Sequence, residues 1–333
     1  MTGILDRQRS RLLLVIVVLG TLVLLLAPFC GPESLSWEDI LKRGATTKSG
    51  RIFWDLRVPR VLLAWLCGAT LGLCGMIFQA LFRNPLAEPT MLGVASGASF
   101  GAAFCIYMGW NFSLFGLSGT AISAFAGSFC CVLALQAIAD LKLDSGGVAL
   151  LLAGVAFNFF FSSLVMIVQY IGAYHDSFRL LRWTLGGIQV IGLEEGVRLL
   201  PFFLLAAGVS IGFARELDLL LCDPEIAVSR GVNLGRTRRI LFPVVSLCVA
   251  ACVALCGPIA FVGLVVPHLC RLMVGVSHRK LAAASIFFGG AFLTACDTTS
   301  RTLWAPMELP VGIITSFLGA PFFLWLLLRR RPC

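Results

Sequence analysis

The stretch from Arg57 to Pro89 reads RVPRVLLAWLCGATLGLCGMIFQALFRNPLAEP. Arginines at 57 and 60 open it, an apolar run fills 59–81, and Asn84-Pro85 closes it. A helix needs about 20 apolar residues to cross a bilayer, so this run reads as a membrane span with a basic mouth. Proline after the run breaks the chain at the far end. Gly68, Gly72 and Gly75 fall at i, i+4 and i+7, the small-residue spacing that lets helix backbones touch inside a membrane bundle. Gly93, Gly97 and Gly101 repeat that spacing just beyond.

The rest of the 333-residue chain extends the same reading. It is 59% apolar and 13% charged, with a mean hydropathy of +0.94. A soluble domain of this size could not hide so much apolar surface from water. Ten spans are expected, near 12–30, 59–81, 91–109, 115–139, 147–171, 199–214, 239–257, 262–275, 280–300 and 311–328. The fold class is therefore all-α, a polytopic membrane bundle, with residues 1–333 forming one transmembrane domain. The eighth span is short, and Gly257, Pro258 and Gly263 interrupt the helix before it. Arg7, Arg9 and Arg11 precede the first run as they would in a signal peptide. That run has full span length and no convincing small-residue cleavage site, so it reads as a retained helix.

Net charge is +9, from 26 basic and 17 acidic residues. With both termini in the cytoplasm, sixteen of the 26 basic residues fall in cytoplasmic segments, the sign expected of the positive-inside rule. The external remainder is concentrated in Lys42 to Arg60. Residues 31–58 read as an external loop, with Trp37 and Trp54 as interfacial anchors. Residues 172–198 read as an external segment holding a short cap helix around Arg182-Trp183. Residues 215–238 form the main cytoplasmic segment, with mixed charge suited to short helices outside the bilayer. No basic–aromatic interleaving suggests a nucleic-acid partner.

Metal-site and ATP-binding motifs are missing from the sequence. There is no HExxH, CxxC or Walker A motif, so ATP hydrolysis would need a separate subunit. Cys248, Cys252 and Cys256 share one helix face, a pattern better suited to packing than to a thiolate metal site. Asp297 precedes Arg301 by four residues, which suggests local neutralisation. No acid sits clearly mid-span, which argues against a proton-coupled secondary transporter, the rival class. Leu73-Cys74-Gly75 and Leu255-Cys256-Gly257 form a short internal echo, each with a proline ten residues after its glycine.

Taken with Gly257-Pro258-Ile259-Ala260-Phe261-Val262-Gly263, Pro267-His268, Arg271, Glu308-Leu309-Pro310-Val311-Gly312 and Gly319-Ala320-Pro321-Phe322-Phe323, the opening block resembles the FecCD-type permeases. These are the transmembrane subunits of bacterial type II ABC importers for iron–siderophore chelates, haem and vitamin B12. The resemblance runs from about residue 10 to 330. It implies a bundle like the vitamin B12 importer permease in the bacterial inner membrane. It implies a second permease copy, two ATP-binding subunits that use ATP and Mg, and a periplasmic or lipid-anchored substrate-binding protein. No cofactor is implied on this chain.

The resemblance also assigns residues. Arg57, Arg60 and Arg301 match positions that receive acidic residues of the binding protein. Asp223, Glu225, Ala227 and Gly231 match the coupling motif that meets the ATPase, with Pro224 and Arg230 departing from it. Pro224 suits the first turn of a helix, where a missing N–H is harmless. Asn84, Pro85, Gly93, Gly97, Pro267 and His268 belong to the family's structural motifs. His268 could be mistaken for a haem ligand, but its pattern is independent of cargo, which favours a structural role. Iron–siderophore is the expected cargo, with vitamin B12 and haem as alternatives.

Overall fold

The computed structural model describes residues 2–329 except 34, 37–39, 41–46, 115, 142–145 and 222–223. Its helices are α1 (Thr2–Leu26), α2 (Val58–Leu81), α3 (Val94–Tyr107), α4 (Gly119–Leu141), α5 (Gly146–Ile171), α6 (Tyr174–Thr184) and α7 (Glu194–Gly212). They continue with α8 (Ala214–Leu220), α9 (Pro224–Ser229), α10 (Leu234–Cys256), α11 (Val262–Val274), α12 (His278–Thr302) and α13 (Val311–Arg329). The strands among the described residues are one small hairpin, Ser113–Leu114 paired with Leu117–Ser118. The all-α expectation therefore holds.

Each expected span falls on a helix. Seven of the helices are long and apolar enough to cross a bilayer, while α3, α11 and α13 are shorter. The segment 31–58 differs from the loop expectation, because its second half is helical. Lys48–Arg51 and a π-helical turn at Ile52–Arg57 run directly into α2. Thr47 starts this lead-in by accepting a hydrogen bond from the Gly50 N–H at 3.3 Å. The cap helix α6 begins at Tyr174, earlier than the arginine–tryptophan turn suggested, and α7 begins at Glu194 rather than near 199.

Helix α2 is the hub. It is buried along most of its length and packs against α7, α10, α11 and α12. Its glycines make this possible. Gly68 lies against Gly289 of α12 so closely that a β-carbon on Gly289 would stand 2.6 Å from the Gly68 carbonyl oxygen. Gly97 of α3 meets Gly127 of α4 in the same way, at 2.8 Å. With lipid outside, apolar burial does not drive helices together, and backbone-to-backbone packing takes over that task. Cys67 and Cys74 of α2 and Cys248, Cys252 and Cys256 of α10 are buried where these two helices pack together.

The outer helices show the opposite pattern. Phe159, Met166 and Tyr170 of α5 and Phe317 and Leu328 of α13 are exposed. Such faces suit lipid or another apolar helix rather than water.

The two echo sequences share residues but not conformation. The backbone stays helical through Gly75, which packs against Gly263. At Gly257 the helix stops, with φ of +69°, and Phe261 adopts φ of +68° before α11 begins. Pro258 after the second glycine cannot donate to a continuing helix.

Candidate functional site

The sequence-derived residues gather at the two ends of α2 and α12. Arg57, Arg60 and Arg301 meet at one end. Arg60 extends from the first turn of α2 to Asp297, donating from Nε at 3.0 and 3.1 Å and from Nη2 at 3.0 Å. Its Nη1 donates to Glu308 at 2.9 Å. Arg301 Nε stands 3.9 Å from Asp297. The expected i,i+4 pair is thus the weaker contact, and Asp297 is neutralised mainly from α2. A carboxylate buried to this degree needs the planar fork of Arg60, which answers both oxygens at once.

Arg57 and Arg301 are also buried, and their hydrogen-bond partners are neutral. Arg57 Nη2 donates to the Glu33 carbonyl at 2.6 Å, and Nη1 lies within reach of the Phe29 and Pro28 carbonyls. Arg301 Nη2 donates to the Ala27 carbonyl at 2.9 Å and to Thr298 Oγ1 at 3.3 Å. Carbonyl oxygens orient a guanidinium without cancelling its charge. This end of the bundle therefore carries three arginines against the two carboxylates beside them, Asp297 and Glu308, and keeps net positive charge.

At the opposite end, α9 carries Ala227, which is buried, and Pro224 opens the helix. Gly231 follows in the left-handed region, with φ of +83°, and its N–H donates to the Val228 carbonyl at 2.9 Å. Only glycine takes that turn without strain. Asp223 lies outside the described residues, and Glu225 is placed only by its backbone in α9. A contact the sequence did not announce ties this end to the core. Asp218 of α8 accepts the His278 backbone N–H at 2.8 Å and sits 2.6 Å from His278 Nδ1. One carboxylate thereby caps α12 and pairs with the buried imidazole that begins it.

The linker between α2 and α3 folds back into the bundle. Asn84 Oδ1 accepts the Leu86 N–H at 3.0 Å, and its carbonyl accepts the Ala87 N–H, closing a tight turn around Pro85. Gly93 has φ of +78°, and its carbonyl accepts the Gly97 N–H at 2.8 Å as α3 starts. Glu88, to which the sequence reading gave no role, is buried and accepts the Phe261 N–H at 2.5 Å. It therefore bolts this linker to the break between α10 and α11. Burial pushes its carboxyl up to about 7, against the lowering effect of hydrogen bonds from Phe261 and Thr90. Pro267 is buried within α11, and His268 packs edge-on against Phe322 of α13 at 5.9 Å.

Known proteins resemble this chain over nearly its whole length. A model of the FecCD transport family matches residues 13–329. The hemin transport system permease protein HmuU of Yersinia pestis is 36% identical over 324 residues, covering 96% of this chain and 94% of that protein. The cobalamin import system permease protein BtuC of Halobacterium salinarum is 36% identical over 298 residues, covering 90% of this chain and 79% of that protein. A solved structure of a metal-chelate type ABC transporter in an inward-facing conformation superposes with a TM-score of 0.82 at 29% identity. It covers 97% of this chain and 100% of that one.

Proposed function

The chain belongs to the FecCD transport family and is a permease subunit of a type II ABC importer; from that premise we propose that it passes an iron–siderophore chelate from a substrate-binding protein into the cytoplasm. Vitamin B12 and haem are the competing cargoes. Two copies of the chain enclose the pathway, ten helices of each crossing the bacterial inner membrane with both termini in the cytoplasm. The exposed apolar faces of α5 and α13 are suited to lipid and to the second copy. Two ATP-binding subunits use ATP and Mg, and this chain holds no cofactor of its own.

The observation that carries this reading is the division of labour along α2 and α12. A cluster of retained positive charge stands at one end, and a short helix tied to the core stands at the other. Carbonyls hold Arg57, and Arg301 shares Asp297 with Arg60, so the three arginines outnumber the carboxylates beside them. This excess can steer acidic residues of a docking protein. Movement of α9 and α8 reaches α12 through Asp218 and His278. The segment that the ATPase pushes is the one holding the coupling-motif matches Asp223, Glu225, Ala227 and Gly231.

The test is vanadate-sensitive uptake in vesicles holding the chain, its ATPase and its binding protein. Uptake that persists without the ATPase would favour the secondary-transporter class. Docking is tested by the salt dependence of binding-protein affinity. Replacing Arg57 or Arg301 with Gln should flatten it, and an unchanged salt slope in folded variants removes these arginines from the interface. A binding-protein assay with ferric hydroxamate, cobalamin and haem decides among the cargoes.

A further inference from the structure

The end that carries Arg57 also contains a cavity of about 500 Å³ within the single chain, beside α6. Arg60, Arg179, Arg182 and Arg198 line it, facing Glu195 and Glu308. Two of the four arginines are already matched. Arg60 pairs with Asp297 and Glu308, and Arg198 donates to Glu194 at 2.6 Å and lies 3.9 Å from Glu195. Arg179 and Arg182 have no ion-pair or hydrogen-bond partner among the described residues. They lie at i and i+3 on α6, so both guanidiniums project from one helix face into one recess. Nothing in the packing of α6 requires two arginines there. Leu180, on the other side of the helix, supplies its buried anchor.

The cavity floor is a joint of the fold. The Gly187 N–H donates to the Cys256 carbonyl at 2.8 Å, where α10 ends, and the Gly312 N–H donates to the Gly186 carbonyl at 3.4 Å, where α13 begins. Gly187, Cys256, Gly257 and Val311 all border the cavity. A ligand held on Arg182 would rest where the cap helix, the α10–α11 break and the start of α13 meet.

We propose that Arg179 and Arg182 form a subsite for the anionic oxygens of the transported chelate, a ligand carrying several carboxylate or catecholate groups. The inference rests on the permease reading above and adds the chemical class of the cargo. Guanidinium forks bind such oxygens in pairs, and two of them selecting one ligand favour multiple charge over single charge. The volume is that of a small-molecule site rather than of a single side chain. A wider cavity of about 730 Å³ adjoins it, sharing Arg60 and Arg182 and reaching Arg57 and Arg301. That outer basin is the better seat for a protein's acidic residues, and the inner recess for what the protein delivers.

The experiment uses the full-length permease assembled with its ATPase in lipid nanodiscs, with citrate as the probe. Trp183 lines the cavity, and its signal is isolated as the difference from a Trp183→Phe variant. Citrate should change that fluorescence saturably, and the response should weaken as salt is added. The Arg179→Gln/Arg182→Gln variant should raise the citrate dissociation constant about tenfold or more. Arg179→Lys/Arg182→Lys, which keeps charge but loses the fork, should fall between the two. Equal affinity in the Gln variant, or equal binding of the neutral citrate triamide, overturns the proposal. So does an Arg179- and Arg182-dependent interaction with the binding protein in the absence of any citrate response, which would assign these arginines to docking. Vanadate-sensitive uptake tests the permease reading separately, so either idea can fail without the other.

Discussion

The two ends of α2 and α12 are held in opposite ways. At the arginine end, Asp297 receives three hydrogen bonds from Arg60, and the pair is almost closed to solvent. At the α8–α9 end, Leu217 and Leu220 pack a seven-residue helix into the core, and the charge that ties it to α12, Asp218, has a side chain 41% exposed. A buried multidentate ion pair resists opening, because separating it strands charge in a low-dielectric interior. A half-exposed carboxylate can exchange its partner for water. The contrast assigns stiffness to the end that would receive a docking protein and compliance to the end that would receive a push.

The comparison can be broken most decisively at Asp297. Asp297→Asn leaves Arg60 and Arg301 without their shared carboxylate and should destabilise the fold by about 3–5 kcal/mol. Thermal unfolding in detergent reads this, and a shift near zero would remove the basis for the stiff end. Glu88 comes next, as the bolt between the α2–α3 linker and the α10–α11 break. Its folded-state value is about 7 against an ordinary 4.5. Stability from the protonated form is therefore fully present below about 4.5 and is lost as pH rises through 7. Glu88→Gln keeps an acceptor for Phe261 and cannot ionise. Relative to this variant, the native protein should lose on the order of 3 kcal/mol between those pH values. Parallel pH profiles for the two proteins would show that Glu88 does not titrate there.

A smaller effect is expected at the compliant end. Asp218→Ala leaves the His278 N–H and ring unpaired and should reduce stability by about 1–3 kcal/mol. The sharper readout is coupling, since ATP hydrolysis by the assembled complex should persist while uptake per ATP declines. Full uptake with intact hydrolysis would remove Asp218 from the transmission path. The smallest effect belongs to the exposed pair between Lys48 and Glu33, at 3.1 Å. Glu33→Gln should change stability by less than about 1 kcal/mol, because solvent screens the pair. It keeps the Glu33 carbonyl that holds Arg57. A large loss would mean that the lead-in helix contributes to stiffness more than its exposure suggests.

Much of the fold was legible because span length and small-residue spacing are local properties of the chain. Gly68, Gly75 and Gly97 announced close helix contacts, and Gly289, Gly263 and Gly127 supply them. The arginine cluster was legible as a motif, and its members do converge. Their partners were not legible. Asp297 looked local to Arg301, yet Arg60 arrives from 237 residues away. Glu88 and Phe261, and Asp218 and His278, are likewise distant in sequence, so no spacing could reveal them. Arg179 and Arg182 looked like ordinary charges on a cap helix until the cavity gave them a common direction.

The sequence by itself determined that lipid is the solvent, where helices cross and break, and which family the chain resembles. Each follows from hydropathy, glycine and proline, whose effects act within a few residues. Only the tertiary structure decided which charges are cancelled, which are kept and which remain open to a ligand. Those outcomes depend on burial and on partners brought together from separate helices, because the electrostatic environment of a side chain is a property of its surroundings in space.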